Sequence, residues 1–142
     1  MLSAEQLVGA KVPERAQRVR VLLTELNRMA SHLLFLGTGI LDMGALTLFF
    51  YTMRERERIL QLFEMVTGVR MNYGYFRVGG LSYDLPEGFE EKARAFLDDF
   101  PKMLEQYADM FAKNDIFVNR TKGIGVIEPE VAVANGLTGP SL

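Results

Sequence analysis

The sequence predicts a mainly α-helical fold: a helical bundle with a buried hairpin and short extended connectors. Apolar residues recur at steps of three and four along three long segments, which is the period of a helix with one buried face. Proline or glycine marks most of the segment ends. The 142 residues are 49% hydrophobic and 24% charged, a balance that suits a single domain with a modest core.

The pattern divides the chain into an incomplete N-terminal lead-in over residues 1–12, a helical bundle over 13–115, and a short strand or loop with a helix over 116–142. The first bundle helix is predicted to start at Pro13, because proline suits the first helical position. It should run for about six turns. Its apolar stripe consists of Val19, Leu22, Leu23, Leu26, Met29, Ala30, Leu33 and Leu34.

The opposite side of this helix carries Arg18, Glu25 and His32, seven residues apart on one stripe. Such a stripe is either a solvated face or a contact surface. His32 is the only histidine, and the chain has no cysteine and no nearby acid at metal-ligand spacing. We therefore interpret His32 as a packed or capping residue rather than a metal ligand.

A second helix should follow a hairpin at residues 37–45. Thr47 is a plausible N-cap, and the helix should end near Thr67, where Gly68 can adopt the left-handed conformation. The alternating charges of residues 54–58 fall on nearly every side of this helix. At least one of them should therefore face protein rather than water.

The later part of the chain is more varied. Residues 71–80 are rich in glycine and aromatic residues and predict extended chain that ends in a tight turn. Pro86 should open a third helix, which Pro101 would kink or split in two. Residues 116–127 resemble a short strand or loop, and a last short helix is predicted over residues 129–136.

Asp42 is the first candidate functional residue, because it is the only charge between Leu33 and Met53. A buried, ionised carboxylate costs several kcal/mol unless it is paired or hydrogen-bonded. Arg54, across the hairpin, is a candidate partner, although Asp42 could instead cap a helix or turn. The run is about long enough to cross a bilayer. However, its glycines, threonines and central acid favour a buried hairpin over a membrane span.

Composition excludes several classes of function. The formal charge of −2, with both signs interspersed, argues against nucleic acid as a partner. The absence of cysteine excludes disulfides, thiolate metal sites, cysteine-ligated clusters and cysteine nucleophiles within this segment. The first fifteen residues lack the features of a signal peptide, and no complete catalytic motif is present. On these grounds alone the chain would be a non-catalytic helical interaction or scaffold module.

A resemblance extends the interpretation. The phrases VPERAQRVRVLLTELNRMASHLLFLGT, LDMGALT, FFYTMRERERIL, VTGVRM, YFRVGG, DLPEGF, NRTKGIGVI and GLTGPSL occur in this order. Together they resemble the D-subunit family of the proton-pumping NADH–quinone oxidoreductase, complex I, over essentially all of residues 5–142. That family is related to the large subunit of nickel–iron hydrogenases, whose metal-binding cysteine pairs have no counterpart here.

The resemblance implies a central fragment of a larger α+β subunit. Such a fragment would form part of the wall of the quinone-reduction site and the interface with the subunit that carries the terminal iron–sulfur cluster. Asp42 would pair with a quinone-site histidine in the missing N-terminal portion. Arg54, Glu57, Arg77 and Arg120 would support the cavity wall or a subunit interface. The isolated fragment should be inactive, although the whole enzyme couples electron transfer to proton translocation.

The resemblance also implies cofactors, partners and a location. No cofactor would bind this chain; quinone would be the substrate, and the iron–sulfur cluster, FMN and NAD(H) would lie on other subunits. The partners would be the cluster-bearing B subunit, the C subunit of the hydrophilic arm and the membrane-arm subunits, at the cytoplasmic face of the inner membrane as a peripheral protein. The chain departs from the family at Asn72, where a histidine is usual, and at Leu48, where a proline is usual. Asn72 cannot titrate, so any proton-linked tuning of the cluster that the family has at this position must here use another group or be weaker.

Overall fold

The structure, a computed structural model, describes residues 1–138. The end of the GLTGPSL phrase, residues 139–142, lies outside the described residues. The described part consists of six helices and one two-stranded antiparallel sheet, which confirms the mainly α prediction. The elements are α1 (Leu2–Val8), α2 (Glu14–Asp42), α3 (Leu46–Thr67), β1 (Phe76–Arg77), β2 (Gly80–Leu81), α4 (Phe89–Ala112), α5 (Asp115–Thr121) and α6 (Pro129–Ala134).

Helices α2 and α3 form the central pair, and the connection between them is shorter than predicted. Helix α2 has 29 residues and continues through the two glycines that suggested a turn, so only residues 43–45 connect it to α3. Gly44, at φ +94°, supplies the left-handed residue that this tight turn requires. In this α2–α3 hairpin, Ile40 of α2 and Leu48 of α3 are buried, whereas Asp42 and Gly44 at its tip are exposed.

Gly37 explains why a glycine is tolerated inside α2. A Cβ atom at this position would overlap the hydroxyl of Thr52 on α3. Thr52 is fully buried, and its hydroxyl donates a hydrogen bond to the Phe49 carbonyl at 2.9 Å, so it cannot turn away without losing that bond. The close approach of α2 and α3 therefore depends on the missing side chain.

We expect Gly37→Ala to lower the free energy of unfolding by about 1–2 kcal/mol, because the added methyl overpacks the interface. This loss should remain after the roughly 1 kcal/mol that alanine gains over glycine in a helix. Gly39→Ala is the matched control on the same helix, because its Cβ would meet nothing within 4 Å. Gly39→Ala should stabilise the chain by about 0.5–1 kcal/mol. Urea denaturation of the two variants checks both signs, and an unchanged or higher stability of Gly37→Ala would contradict the close-approach argument.

The main core lies where α2, α3 and α4 meet, and it contains most of the predicted apolar stripes. Its buried members are Val19, Leu23, Leu26, Ala30, Leu33, Ile59, Leu62, Phe63, Val66, Tyr75, Phe89, Ala93 and Phe96. Each large side chain removed from water contributes about 1.5–3 kcal/mol, so this shared core is the principal stabilising element of the fold.

Helix α4 is continuous through Pro101, so the alternative that proline splits it was wrong. Phe96 before the proline and Tyr107 after it are both buried, and this packing holds the two halves in one helix. The start also differs slightly from the prediction, since the helix begins at Phe89 rather than at Pro86.

The segment at residues 116–127 does not form a strand, because its first half, residues 116–121, belongs to helix α5. The side-chain oxygen of Asn114 accepts a hydrogen bond from the backbone N–H of Phe117 at 3.0 Å, which caps this helix. The extended connector was predicted correctly: it forms the hairpin of β1 and β2, with Gly79 at φ +86° in the turn. Pro129 opens α6 as expected.

Candidate functional site

Asp42 is the last residue of α2, and its side chain is exposed. Within the part of the chain that the structure describes, its carboxylate makes no side-chain hydrogen bond or ion pair, so the predicted pairing with Arg54 was wrong. It does not cap either helix: Met43 is the C-cap of α2, and Ala45 is the N-cap of α3. The prediction of burial failed because α2 extends to residue 42 and carries the acid out to the tip of the hairpin.

Arg120 of α5 contacts the same turn. Its Nη1 donates a hydrogen bond to the Met43 carbonyl at 2.8 Å, across 77 residues of sequence. A Cβ on Gly44 would lie 3.2 Å from this Nη1, so the guanidinium lies close against the turn backbone. Of the residues singled out from the sequence, Asp42 and Arg120 are therefore brought to one place.

A second, smaller core lies beneath the turn. Ile40, Leu48 and Tyr107 are its buried members. Five partly buried apolar residues from α2, the turn, α4 and α5 pack against them: Leu36, Ala45, Met103, Phe111 and Phe117. Leu48 thus serves as a core residue of α3.

Arg54 pairs with its neighbour Glu55 instead of Asp42. Its guanidinium nitrogens lie 2.8 Å from Glu55 Oε1, and its Nη2 lies 3.4 Å from the sulfur of Met103. The guanidinium carbon also lies 5.2 Å from the centroid of the Tyr51 ring. The charged run at 54–58 was expected to turn one member toward protein, and that member is Glu55, which is 1% exposed.

Glu55 is the centre of a polar cluster that sequence analysis missed. Its second oxygen accepts a hydrogen bond from Arg58 Nη1 at 3.0 Å, and Arg58 continues to Asp99 on α4 at 3.1 Å. The Tyr107 hydroxyl lies 3.3 Å from Glu55 Oε1 and 3.2 Å from the Tyr51 carbonyl, so one proton serves two acceptors. Burial, and then the charge of Glu55, raise the pKa of Tyr107 above its ordinary value. The cluster joins α3 to α4 beside the second core.

The remaining predicted residues lie away from the turn. Glu57 pairs with Arg70, and this hydrogen bond lowers the pKa of the Glu57 carboxyl. Arg77 is exposed on the hairpin, and its Nε donates to Ser82 Oγ at 3.0 Å. Asn72 is exposed at φ +57°, a left-handed conformation that asparagine tolerates better than most residues.

The β1–β2 hairpin is held by a buried ion pair at the end of α2 far from Asp42. Arg20 binds Glu5 with Nη–Oε distances of 2.6 and 3.0 Å, and its Nη2 also donates to the carbonyls of Arg77 and Gly80. Glu5 accepts a further hydrogen bond from the Gly79 N–H at 2.8 Å. Arg20 is 22 residues from Asp42 on α2, about 33 Å at 1.5 Å per residue. The hairpin and Arg77 therefore belong to a different region from the turn.

Neither a metal site nor a membrane span emerges from residues 1–138. No group of three or more histidine, cysteine or acidic side chains there could hold a metal ion. None of the helices in this range combines the length and the hydrophobicity needed to cross a bilayer. His32 is exposed rather than packed, together with Arg18 and Glu25 on the outer face of α2.

Comparison with known proteins identifies the family. Residues 42–142 match the family described as "Respiratory-chain NADH dehydrogenase, 49 Kd subunit". The chain belongs to this family. It is 57% identical over 142 residues to the D subunit of the NADH-quinone oxidoreductase of Deinococcus radiodurans, covering all of this chain and 35% of that relative. It is 55% identical over 141 residues to the D subunit of a Thermus thermophilus strain, covering 99% of this chain and 34% of the relative.

A more distant relative agrees with these two. The D subunit of the Geobacter sulfurreducens enzyme is 49% identical over 142 residues, which are 36% of its length. The chain thus spans about a third of the length of the curated relatives it matches. The resemblance to the D-subunit family of NADH–quinone oxidoreductase is confirmed.

Proposed function

We propose that this member of the 49-kDa family forms part of the wall of a quinone-reduction site in an NADH:quinone oxidoreductase. The observation that carries the proposal is the exposed carboxylate of Asp42, which finds no partner among the described residues although an apolar run surrounds it in sequence. Such a group is available to a side chain from outside this chain. The resemblance supplies one, a quinone-site histidine in the N-terminal portion of the family's longer chains.

A carboxylate coupled to an imidazole suits quinone chemistry. Reduction by two electrons also requires protons, and a neighbouring carboxylate favours the protonated imidazole that can donate one. The two groups would titrate as a coupled pair, so reduction could change both the charge and the geometry of the site. In this way Asp42 links proton uptake to electron transfer.

Exposed apolar side chains support an interface around the same end of the molecule. Phe35, Leu46 and Phe50 are 72%, 52% and 62% exposed. Leu46 and Phe50 are four residues apart on α3 and therefore lie on one face of that helix. An exposed apolar face is typical of protein contacts. We propose that the B subunit, which carries the terminal iron–sulfur cluster, together with the C subunit of the hydrophilic arm and the membrane-arm subunits, covers these faces. The chain would then be a peripheral component at the cytoplasmic side of the inner membrane, with FMN and NAD(H) on distant subunits.

The test is Asp42→Asn in the complete enzyme. We expect the NADH:quinone reaction to fall by about 10²-fold, the scale of a lost acid–base contribution, while electron transfer from NADH to an artificial acceptor upstream of the quinone site is unchanged. Asp98→Asn, an exposed acid on α4, is the matched control and should leave both reactions unchanged.

If Asp42→Asn retains both reactions, Asp42 has no role at the quinone site and the chain acts as a helical scaffold in that region. The chain by itself should catalyse nothing, because the head-group ligands and redox cofactors lie elsewhere. Quinone reduction by the 142-residue chain alone would therefore also contradict the proposal.

A further inference from the structure

We propose that α5 positions Asp42, with Arg120 as its polar contact and Phe117 as its apolar contact on the α2–α3 turn. Arg120 would then be a positioning residue for the quinone reaction rather than a residue that touches quinone. The inference rests on the proposed function of Asp42. It adds the means by which an exposed carboxylate at a hairpin tip keeps a defined position.

The polar contact acts next to Asp42 in sequence. The Met43 carbonyl that accepts from Arg120 belongs to the residue directly after Asp42. Carbonyls at the C-terminal end of a helix lack partners within the helix, and a cation there is favoured by the helix dipole. Arg120 therefore satisfies a free carbonyl and partly offsets the unfavourable position of a carboxylate at the same helix end.

The contact is possible because residue 44 is glycine. At φ +94° the backbone turns sharply, and the absence of a Cβ leaves room for the guanidinium, which would otherwise be 3.2 Å from that atom. Three backbone amides close the same turn through four hydrogen bonds: Met43 N–H to Gly39 O and Ile40 O, Gly44 N–H to Leu41 O, and Ala45 N–H to Ile40 O. These amides report directly on whether the turn is held.

The apolar contact lies beneath the turn that carries Asp42. Phe117 packs against the second core, which includes Ile40, two residues before Asp42; Ala45, three residues after Asp42, packs against the same core. Asn114 caps α5 at its start, so Phe117 and Arg120 lie on a defined helix at a spacing of three residues. The hydrogen bond to Met43 and the packing against the second core thus come from one seven-residue helix.

Three variants test the inference: Arg120→Gln, Arg120→Lys and the control Lys122→Gln. Lys122 is exposed and two residues further along, so its replacement makes the same change in net charge without touching the turn. In hydrogen exchange of the 142-residue chain, Arg120→Gln should speed exchange of the Met43, Gly44 and Ala45 amides by about fivefold, the scale of one lost hydrogen bond. Arg120→Lys keeps a cationic donor on a long side chain, whereas glutamine is neutral and shorter, so Arg120→Lys should restore most of the protection. Lys122→Gln should have no effect.

In the complete enzyme, Arg120→Gln should lower kcat for quinone by about tenfold, since small displacements of a reacting group are costly. The KM for quinone should remain within about twofold of the parent value, and the upstream artificial-acceptor reaction should not change. Arg120→Lys should recover at least half of kcat. A structural defect alone would lower both reactions together.

The outcomes separate this inference from the proposed function. If Asp42→Asn loses the quinone reaction while Arg120→Gln behaves like Lys122→Gln in exchange or in kcat, Asp42 acts as proposed and the positioning role of Arg120 is wrong. If the quinone reaction survives both Asp42→Asn and Arg120→Gln, the function of Asp42 fails and the positioning role fails with it.

Discussion

Glu55→Gln is expected to lower the free energy of unfolding of the chain by about 3 kcal/mol, because it removes the charge at the centre of the α3–α4 cluster. Glu55 is 1% exposed and faces Arg54, Arg58 and the Tyr107 hydroxyl. Breaking a buried ion pair by removing one partner costs roughly 3–5 kcal/mol in other proteins. The low end applies here, since Arg54 and Arg58 are partly exposed and can recover water.

Glutamine keeps the shape of the side chain, so a loss of this size would report the charge rather than a cavity. Glu64→Gln is the control on the same helix, because Glu64 forms a half-exposed pair with Arg70 at 3.4 Å. Surface pairs contribute about 0–1 kcal/mol, so its effect should be small. Urea denaturation at neutral pH measures both variants. Equal stabilities of Glu55→Gln and Glu64→Gln would show that the cluster does not hold α3 against α4.

The helices of the bundle could be predicted from the sequence because their apolar residues repeat with the helical period. Leu23 and Leu26 fall on the predicted stripe of the first helix, and they lie in the core together with Phe63 of α3 and Phe96 of α4. The end of α3 at Gly68 was also predictable, since glycine adopts the required left-handed conformation. These features depend on local sequence, which a pattern records directly.

The environment of the charged residues was harder to predict from the sequence, because it depends on distant parts of the chain. Asp42 was expected to be buried, but burial within an apolar run depends on where the helix ends, and α2 ends at that residue. Among the alternating charges at 54–58, the choice of Glu55 depends on Tyr107, 52 residues away. No local pattern contains that contact.

The buried position of Arg20 and the start of helix α5 were not predicted, although the local sequence indicates both. Arg20 lies on the buried stripe of α2 between Ala16 and Leu23, so its position at steps of four and three already indicated a buried cation. The pattern of residues 116–127 predicts a strand or loop where most of α5 lies, although Asn114 followed by Asp115 is a common way to start a helix. In both cases a polar residue carries the local signal, whereas the apolar pattern around it does not.

The α2–α3 turn and the β1–β2 hairpin lie at opposite ends of α2. Each of them is held by an arginine whose guanidinium donates to backbone carbonyls. Arg120 binds the carbonyl of Met43, and Arg20 binds those of Arg77 and Gly80. The difference is burial: Arg20 has a buried carboxylate partner in Glu5, whereas Arg120 is exposed beside Asp42, which is unpaired among residues 1–138. We interpret the first as a structural tie and propose that the second is part of a site that another chain segment completes.

The stability of the chain should fall in acid through Glu5. Hydrogen bonds from Arg20, and then from the Gly79 N–H, lower the pKa of the Glu5 carboxyl from 4.5 to about 2. Below pH 4.5 the unfolded chain takes up the proton first, which favours unfolding. The stabilisation from Glu5 is therefore fully present above pH 4.5 and is lost as the pH falls to about 2.

Glu5→Gln isolates this contribution, because other carboxylates titrate alike in parent and variant. At neutral pH the variant should be less stable than the parent, since glutamine cannot supply the charge that Arg20 faces in a buried position. The difference in the free energy of unfolding between parent and variant should become steadily smaller between pH 4.5 and about 2, because the parent loses the same charge by protonation. Glu14→Gln, at a side chain that is 78% exposed, is the control and should remain close to the parent throughout. Urea denaturation across this pH range measures the difference in stability. A difference that stayed constant or grew in acid would mean that the contact between α1, α2 and the β1–β2 hairpin does not depend on the Glu5 charge.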